Sequence, residues 1–277
     1  MIKAVITAAG LGTRMLPMTK EMPKEMLPVF TKNKGNYVIL PMLQFIYEQL
    51  YNLKIRDYCF VVGREKRSIE NHFTPDINFQ NFLKTKNNPI IINFYKKLEK
   101  SNLGWVNQSK PNGFGDAVKQ AEKFIGNENF IVHGGDVAIL NNSIQKNSIK
   151  NLINIGNNSD ASAVLLFRKV SDPKRHGVPT LKKISNNEYN VQKVIEKPLN
   201  PKSNFGLLPI YFFKPIIFEK LKQIVPGKGK EYQLTDAIQK LIDDNEKVIA
   251  LPLQRNESVI DVGTVSSYKS ALKTTFS

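Results

Sequence analysis

Residues 3 to 28 read Lys-Ala-Val-Ile-Thr-Ala-Ala-Gly-Leu-Gly-Thr-Arg-Met-Leu-Pro-Met-Thr-Lys-Glu-Met-Pro-Lys-Glu-Met-Leu-Pro. A short apolar strand, Ala4 to Ala8, runs straight into a glycine turn, and cations follow at Arg14 and Lys24. Glycines let a backbone approach a ligand closely, and the successive free N–H groups of such a turn bind anions. Arg14 and Lys24 add positive charge where a polyphosphate would lie. The segment predicts a nucleoside triphosphate site at the exit of a strand.

Two familiar glycine motifs do not fit it. A dinucleotide fold wants G-x-G-x-x-G, but Met15 follows Gly10-Leu11-Gly12-Thr13-Arg14. No G-x-x-x-x-G-K-[ST] string occurs, which removes the P-loop.

Outward from this segment, strand-like runs alternate with helical periodicity for about the first 170 residues. Ala4 to Ala8 gives way to a long amphipathic stretch, Val38 to Leu53. Then come a strand at Tyr58 to Val62, a helix around Ser68 to Phe73 and a polar stretch over 74–88. A strand at Gly104 to Asn107 precedes a helix at Ala117 to Phe124. The strand Phe130 to His133 ends at Gly134-Gly135-Asp136, and a helix is expected over Ser143 to Ile155 before a strand at Ala161 to Phe167. Such alternation predicts a Rossmann-like, mostly parallel mixed sheet with helices on both faces. From Arg168 to Lys214 the pattern becomes strands broken by turn residues, a substrate-side β insertion. Helices are expected at Ile216 to Ile224 and Leu234 to Asp243, short strands at Val248 to Leu251 and Ser258 to Ile260, and a closing helix at Ser266 to Thr275. The expected organisation is one domain: a nucleotide-binding part over about 1–167, a substrate-side part over about 168–265, and a C-terminal helix over about 266–277. No internal repeat is visible.

The chain has 277 residues, enough to bury a sizeable core. With 40 Lys and Arg against 24 Asp and Glu it carries a formal charge of +16, which invites a nucleic-acid reading. The pattern argues against one. No run of cations exceeds two residues, and no zinc spacing, RNA-recognition aromatics or basic heptad helix occurs. Attraction of phosphorylated small substrates is the milder consequence. No stretch suits a membrane helix, and a strand beginning at residue 3 leaves no room for a signal peptide. The single cysteine, Cys59, lies in an apolar run and points to a reducing, cytoplasmic setting.

Candidate chemistry lies at strand ends. Asp136 follows a buried strand and two glycines, where open α/β sheets place ligand contacts. Asp261, in Ile-Asp-Val-Gly-Thr, again ends an apolar strand before a glycine. Two such carboxylates are hard oxygen ligands of the kind that hold Mg2+ together with water and phosphate. Gln108 stands before a glycine loop, Asn112-Gly113-Phe114-Gly115, and a glutamine offers both donor and acceptor to a pyrimidine edge.

The full Gly10-Leu11-Gly12-Thr13-Arg14 with Pro23-Lys24-Glu25-Met26-Leu27-Pro28 resembles the signature of nucleotidyltransferases that make nucleoside-diphosphate sugars. It resembles in particular the bacterial-type UTP–glucose-1-phosphate uridylyltransferases, over almost the whole chain, with Ser68-Ile69-Glu70-Asn71-His72-Phe73 and Glu231 to Ile238 as further matches. The resemblance implies a glycosyltransferase-A-like fold and Mg2+-dependent transfer of UMP from UTP to glucose 1-phosphate, releasing pyrophosphate. It implies that Arg14 and Lys24 hold the triphosphate and that Asp136 and Asp261 bind Mg2+. By the same resemblance Ala9, Gly10, Gly12, Thr13, Glu25, Gln108 and Gly113 meet the nucleotide. Gly177 and Glu196 would meet the sugar, and Lys197, in Val194-Ile195-Glu196-Lys197-Pro198, its phosphate. A homo-oligomer, dimer or tetramer, is implied as well.

Three departures stand on the sugar side. His176-Gly177-Val178 replaces Y-G-V, Pro209-Ile210 replaces a glycine–arginine pair, and Val262-Gly263-Thr264 replaces C-G-N. They keep dTTP or another hexose 1-phosphate open as substrates of the same chemistry. A non-catalytic sugar-nucleotide sensor is the alternative of another class.

Overall fold

The computed structural model describes residues 2–33, 35–85, 88–141 and 147–276. Its strands are β1 (Lys3–Ala8), β2 (Pro28–Asn33), β3 (Asn36–Pro41), β4 (Asp57–Gly63), β5 (Asn102–Gln108), β6 (Phe130–Gly134), β7 (Val137–Asn141), β8 (Ala163–Lys169), β9 (Gly177–Lys183), β10 (Tyr189–Glu196), β11 (Phe205–Phe213), β12 (Val248–Pro252) and β13 (Glu257–Asp261). Nine of them form one sheet in the order β5-β4-β1-β6-β11-β8-β12-β10-β9, while β7 pairs with β13 and β2 with β3. Within the large sheet only β10 and β11 oppose the common strand direction. The expected mixed, mostly parallel sheet is present.

Alternation along the strands buries both faces. Ala4, Ile6 and Ala8 of β1 face a core shared with helices Met42–Asn52 and Ser148–Asn158. Val5 faces the opposite core, packed by helices Phe114–Gln120, Ile217–Gln223 and Leu234–Asp243. Cys59 lies in β4, fully buried, and burial pushes its thiol up to about 12.

Three sequence expectations shift. The amphipathic stretch from Val38 is helical only from Met42, because residues 36–41 pair with β2 in a hairpin that sets Pro28 opposite Pro41. Its apolar residues satisfy a strand as well as a helix, and Pro41 marks the change. The polar stretch over 74–88 holds a helix, Ile77–Thr85, started by Asp76, whose Oδ1 accepts from the N–H groups of Asn78 and Phe79 at 2.9 and 3.0 Å. The helix expected from Ser143 runs from Ser148 to Asn158, and residues 142–146 lie outside those described.

Gly156 sits where that helix crosses β11: a Cβ there would lie 2.4 Å from the Phe212 ring. Gly156→Ala therefore should not deliver the roughly 1 kcal/mol that helix propensity promises. It should destabilise by about 1–3 kcal/mol through overpacking, read from denaturant unfolding.

Two histidines are held neutral by burial. His133 in β6 and His72 beneath Phe94 have pKa values lowered to about 4. His133 Nδ1 bonds the Gly134 carbonyl, while its buried Nε2 has no partner among the described residues. The unfolded chain titrates near 6.5 and takes up protons that the folded chain refuses. Stability should therefore fall as pH drops from about 6.5 to about 4, by about 1.4 kcal/mol per pH unit for each histidine. His133→Leu should halve that slope, measured by urea unfolding at several pH values.

Candidate active site

The register of the central strands builds the site. Thr7 of β1 pairs with Gly134 of β6, and the Gly135 N–H donates to the Thr7 carbonyl at 2.9 Å. The glycine turn after β1 and Asp136 after β6 therefore leave the sheet side by side. A cavity of about 610 Å³ opens there, at the carboxyl ends of the parallel strands.

Most expected residues meet in it. Ala9, Gly10, Gly12, Thr13, Arg14, Lys24, Glu25, Gln108, Gly113, Asp136, Gly177, Glu196 and Lys197 all line this one cavity. Gly12 has φ 68°, a left-handed conformation that suits glycine, and its carbonyl accepts from Thr19 Oγ1 at 2.8 Å. A Cβ on Gly10 would lie 3.6 Å from Lys24 Nζ, so the turn and the cation are immediate neighbours.

Lys24 Nζ reaches Asp136 Oδ2 at 2.5 Å. Burial pulls the lysine pKa down, but Asp136 and then Glu25 outweigh it and hold it above the ordinary value. Burial pushes Asp136 up, and the charge and hydrogen bond of Lys24 overcome this, keeping the carboxylate below its usual range. Glu25, 1% exposed, pairs with Lys66 at 3.0 Å. Burial dominates over both neighbouring lysines there and leaves the Glu25 pKa raised.

Asp261 arrives from β13, whose pairing with β7 sets it opposite Val137, next to Asp136. It does not line the cavity wall itself; it stands behind Gly263. A Cβ on Gly263 would lie 3.0 Å from Asp261 Oδ1, 3.2 Å from Arg14 Nη2 and 3.4 Å from Asp136 Oδ2, so three charged groups converge on this glycine. Asp261 Oδ1 accepts from the Gly263 N–H at 2.6 Å and from Ser267 Oγ at 3.1 Å, which fixes its orientation. The two carboxylates are a donor set that fits a hard divalent cation, and the Lys24 ammonium already stands as positive charge on one of them. Among the described residues no cluster of three or more His, Cys, Asp or Glu could hold a metal. Two carboxylates completed by phosphate and water are the coordination that Mg2+ favours.

Gln108 is buried and its Nε2 donates to Asp116 Oδ2 at 2.7 Å and to the Gly113 carbonyl at 3.1 Å. Its amide oxygen is thereby turned away from these two acceptors. Gly113, at φ 112°, has no room for a side chain: a Cβ would lie 2.8 Å from the Tyr232 carbonyl. The Gly115 N–H donates to that carbonyl at 2.8 Å, and the Tyr232 N–H to the Asn112 carbonyl at 2.7 Å.

On the opposite wall, Glu196 and Lys197 face one space although they are neighbours in a strand sequence. Lys197 leaves the strand with φ 43°, its N–H held by the His176 carbonyl at 2.9 Å, and its Nζ returns to Glu196 Oε1 at 3.2 Å. The backbone kink at Lys197 is what breaks the strand alternation and brings both side chains to one space. Thr235 Oγ1 donates to Glu196 Oε2 at 3.0 Å, and Thr235 Cγ2 fills the space a Cβ on Gly177 would need, at 2.7 Å. His176 lines the cavity, its pKa lowered by burial and then by Arg168. Pro209 lines it too, within a register shift between β11 and β8 that spares the strand a ladder hydrogen bond.

The 231–238 segment, one of the family matches in the sequence, leads into the helix Leu234–Asp243. Neither Gln233 nor Thr235 caps: the helix starts without a side-chain cap, and Gln233 Nε2 bonds the Lys228 carbonyl and Glu231 Oε2. Glu231, Gln233, Leu234 and Thr235 instead line the cavity. The near letter-for-letter family match of this segment was the available signal. Arg175 and Thr7 also line the cavity, and nothing in their local sequence marks them out.

A model of the nucleotidyl transferase family matches residues 3–276. The UTP–glucose-1-phosphate uridylyltransferase 1 of Streptococcus pyogenes is 36% identical over 267 residues, 94% of this chain and 84% of that protein. A UDP-glucose pyrophosphorylase solved with UDP-glucose superimposes with a TM-score of 0.85 at 29% identity, covering 100% of this chain and 99% of that one. A UTP-bound enzyme of the same kind from Acinetobacter baumannii gives 0.83 at 28% identity, covering 99% and 93%.

Thr235→Val keeps the volume near Gly177 and removes the donor to Glu196. A hydrogen bond to a charged group contributes about 1.5–3 kcal/mol, so affinity for a hexose 1-phosphate should fall about tenfold or more, read by calorimetry.

Proposed function

The chain belongs to the nucleotidyl transferase family, and from that premise we propose that it transfers UMP from UTP to glucose 1-phosphate, forming UDP-glucose and pyrophosphate. The observation that carries this reading is the meeting, in one cavity, of the glycine turn with Arg14 and Lys24, of Asp136 with Asp261 set against it behind Gly263, and of Glu196 with Lys197.

A phosphate oxygen of the sugar attacks the α-phosphorus in line. A new P–O bond forms as the bond from the α-phosphorus to the bridging oxygen breaks, and pyrophosphate leaves with that electron pair. No covalent intermediate on the protein is needed, so the residues serve by positioning and by neutralising charge. The N–H groups of the Gly10–Gly12 turn, Thr13 and Arg14 take the triphosphate. Lys24 exchanges part of its hold on Asp136 for phosphate oxygens as the nucleotide arrives. Ala9, Gly10, Gln108 and Gly113 form the base pocket, and Glu25 stands at the nucleotide's edge. Gly177 and Glu196 meet sugar hydroxyls, and Lys197 orients the attacking phosphate. Enzymes of this family use a divalent metal. Mg2+ held by Asp136 and Asp261 supplies further charge neutralisation on the phosphates.

We read residues 1–167 as the nucleotide part, 168–265 as the sugar-phosphate part and 266–277 as a closing helix. The described helices include none long and apolar enough to cross a membrane. On the lone buried Cys59 we assign the enzyme to the cytoplasm, and on the family resemblance to a homo-oligomer. His176 and Pro209 lie on the sugar wall and make the identity of the hexose the point to measure first.

With saturating substrates, Asp136→Asn should lower kcat by about 100-fold or more, and Lys197→Ala should act chiefly on glucose 1-phosphate. Near-normal pyrophosphate release by Asp136→Asn, or an unchanged kcat/KM for glucose 1-phosphate in Lys197→Ala, would sink the assignment. A matrix of UTP and dTTP against several hexose 1-phosphates, scored by kcat/KM, should peak at UTP with glucose 1-phosphate.

A further inference from the structure

Behind the nucleotide half of the cavity lies a pair of charges of which only one faces the ligand space. Glu25 lines the cavity, whereas Lys66, its partner at 3.0 Å, does not, and the Lys66 side chain is 11% exposed. Lys66 comes from the turn after β4, where Glu65 has φ 70°. It immediately precedes the helix Arg67–His72 and makes no side-chain cap on it. Its ammonium is committed across the fold to Glu25 and not to its own helix. The end of β4, just before this turn, touches the glycine segment directly, since a Cβ on Gly63 would lie 2.9 Å from the Ala9 carbonyl oxygen. From the other side, Glu25 Cγ lies 3.2 Å from the place of a Cβ on Gly135.

A pair of apolar side chains would hold this turn as well as a buried ion pair, whose desolvation offsets much of its attraction. The charges need another reason. A carboxylate beside a triphosphate repels it, so Glu25 suits only the uncharged end of the nucleotide, as acceptor from a ribose hydroxyl or the pyrimidine N3–H. Lys24 precedes it in the chain and already favours it electrostatically. Without a competing cation, Glu25 would turn to Lys24 and neutralise the charge meant for phosphate.

We propose that Lys66 is a positioning residue of the nucleotide half: it holds Glu25 as a nucleoside-facing acceptor and keeps it off Lys24. The inference rests on the UTP reading given above. Steady-state kinetics of Lys66→Met, varying each substrate against saturating partner, should show the KM for UTP raised about tenfold. The KM for glucose 1-phosphate should stay within about twofold. Lys66→Arg should restore most of the UTP affinity. The double variant Glu25→Gln/Lys66→Met should be no worse than Glu25→Gln alone, because both act through one contact. 2′-Deoxy-UTP, 3′-deoxy-UTP and N3-methyl-UTP then identify the donor: the analogue lacking it should show little difference between wild type and Lys66→Met. An unchanged KM for UTP, a parallel loss for both substrates tracking a fall in Tm, additive effects in the double variant, or an unaltered difference with all three analogues would each overturn the proposal. Wild-type turnover tests the UTP reading separately. Should the wild type not turn over this pair, UTP dissociation constants of wild type and Lys66→Met, read by calorimetry, decide the Lys66 assignment through the same tenfold ratio.

Discussion

The pairing of β1 with β6 is the constraint on which the site depends. It places two strand exits next to each other, and the Gly135 N–H bond to the Thr7 carbonyl locks them there. One exit carries the glycine turn and its cations, the other carries Asp136. Every further part is hung on this frame. The β7–β13 ribbon brings Asp261 beside Asp136, and the end of β4 with the turn after it supports Ala9 and Glu25 from behind. Neither strand is itself chemical. Both are largely apolar, and their burial on two faces gives the rigid base that exact placement of charge requires.

The second half of the cavity is held differently. Its Glu196 and Lys197 stand at the end of β10, and a threonine and a glutamine from the 231–235 segment fix their surroundings. That segment is also bonded to the loop around Gly113 by two backbone hydrogen bonds. The nucleotide wall and the sugar wall thus share one stretch of chain, and its displacement would be felt on both.

Much of this was legible in the sequence, for identifiable reasons. The glycine turn, Asp136 and Asp261 sit at strand ends, so local pattern plus the rule on carboxyl ends finds them. Their proximity was not legible, because it follows from the β7–β13 pairing, and β7 gives no signal apart from the strand before it. The stretch from Val38 to Leu53 misled because Val38, Ile39 and Leu40 are apolar in either conformation, and only the hairpin partner decides between them. The Ile77–Thr85 helix was hidden by its polar composition, although Asp76 carried a start signal. Lys66 and Thr235 escaped for another reason. Each acts on a residue distant in sequence, 41 positions away for Lys66 and 39 for Thr235, and no local pattern encodes such contacts.

Cys59 carries a practical consequence. The sole thiol of the chain sits in the middle of β4, fully buried and with a pKa near 12, and thiolate is the form that reacts. The native fold is therefore inert toward maleimides and mild oxidants. A cysteine introduced at an exposed position, such as Arg64 or Leu199, would take a fluorophore or spin label alone, with no background site to remove first. A pair of such cysteines, one after β4 and one after β10, would make the separation of those two segments in solution directly measurable.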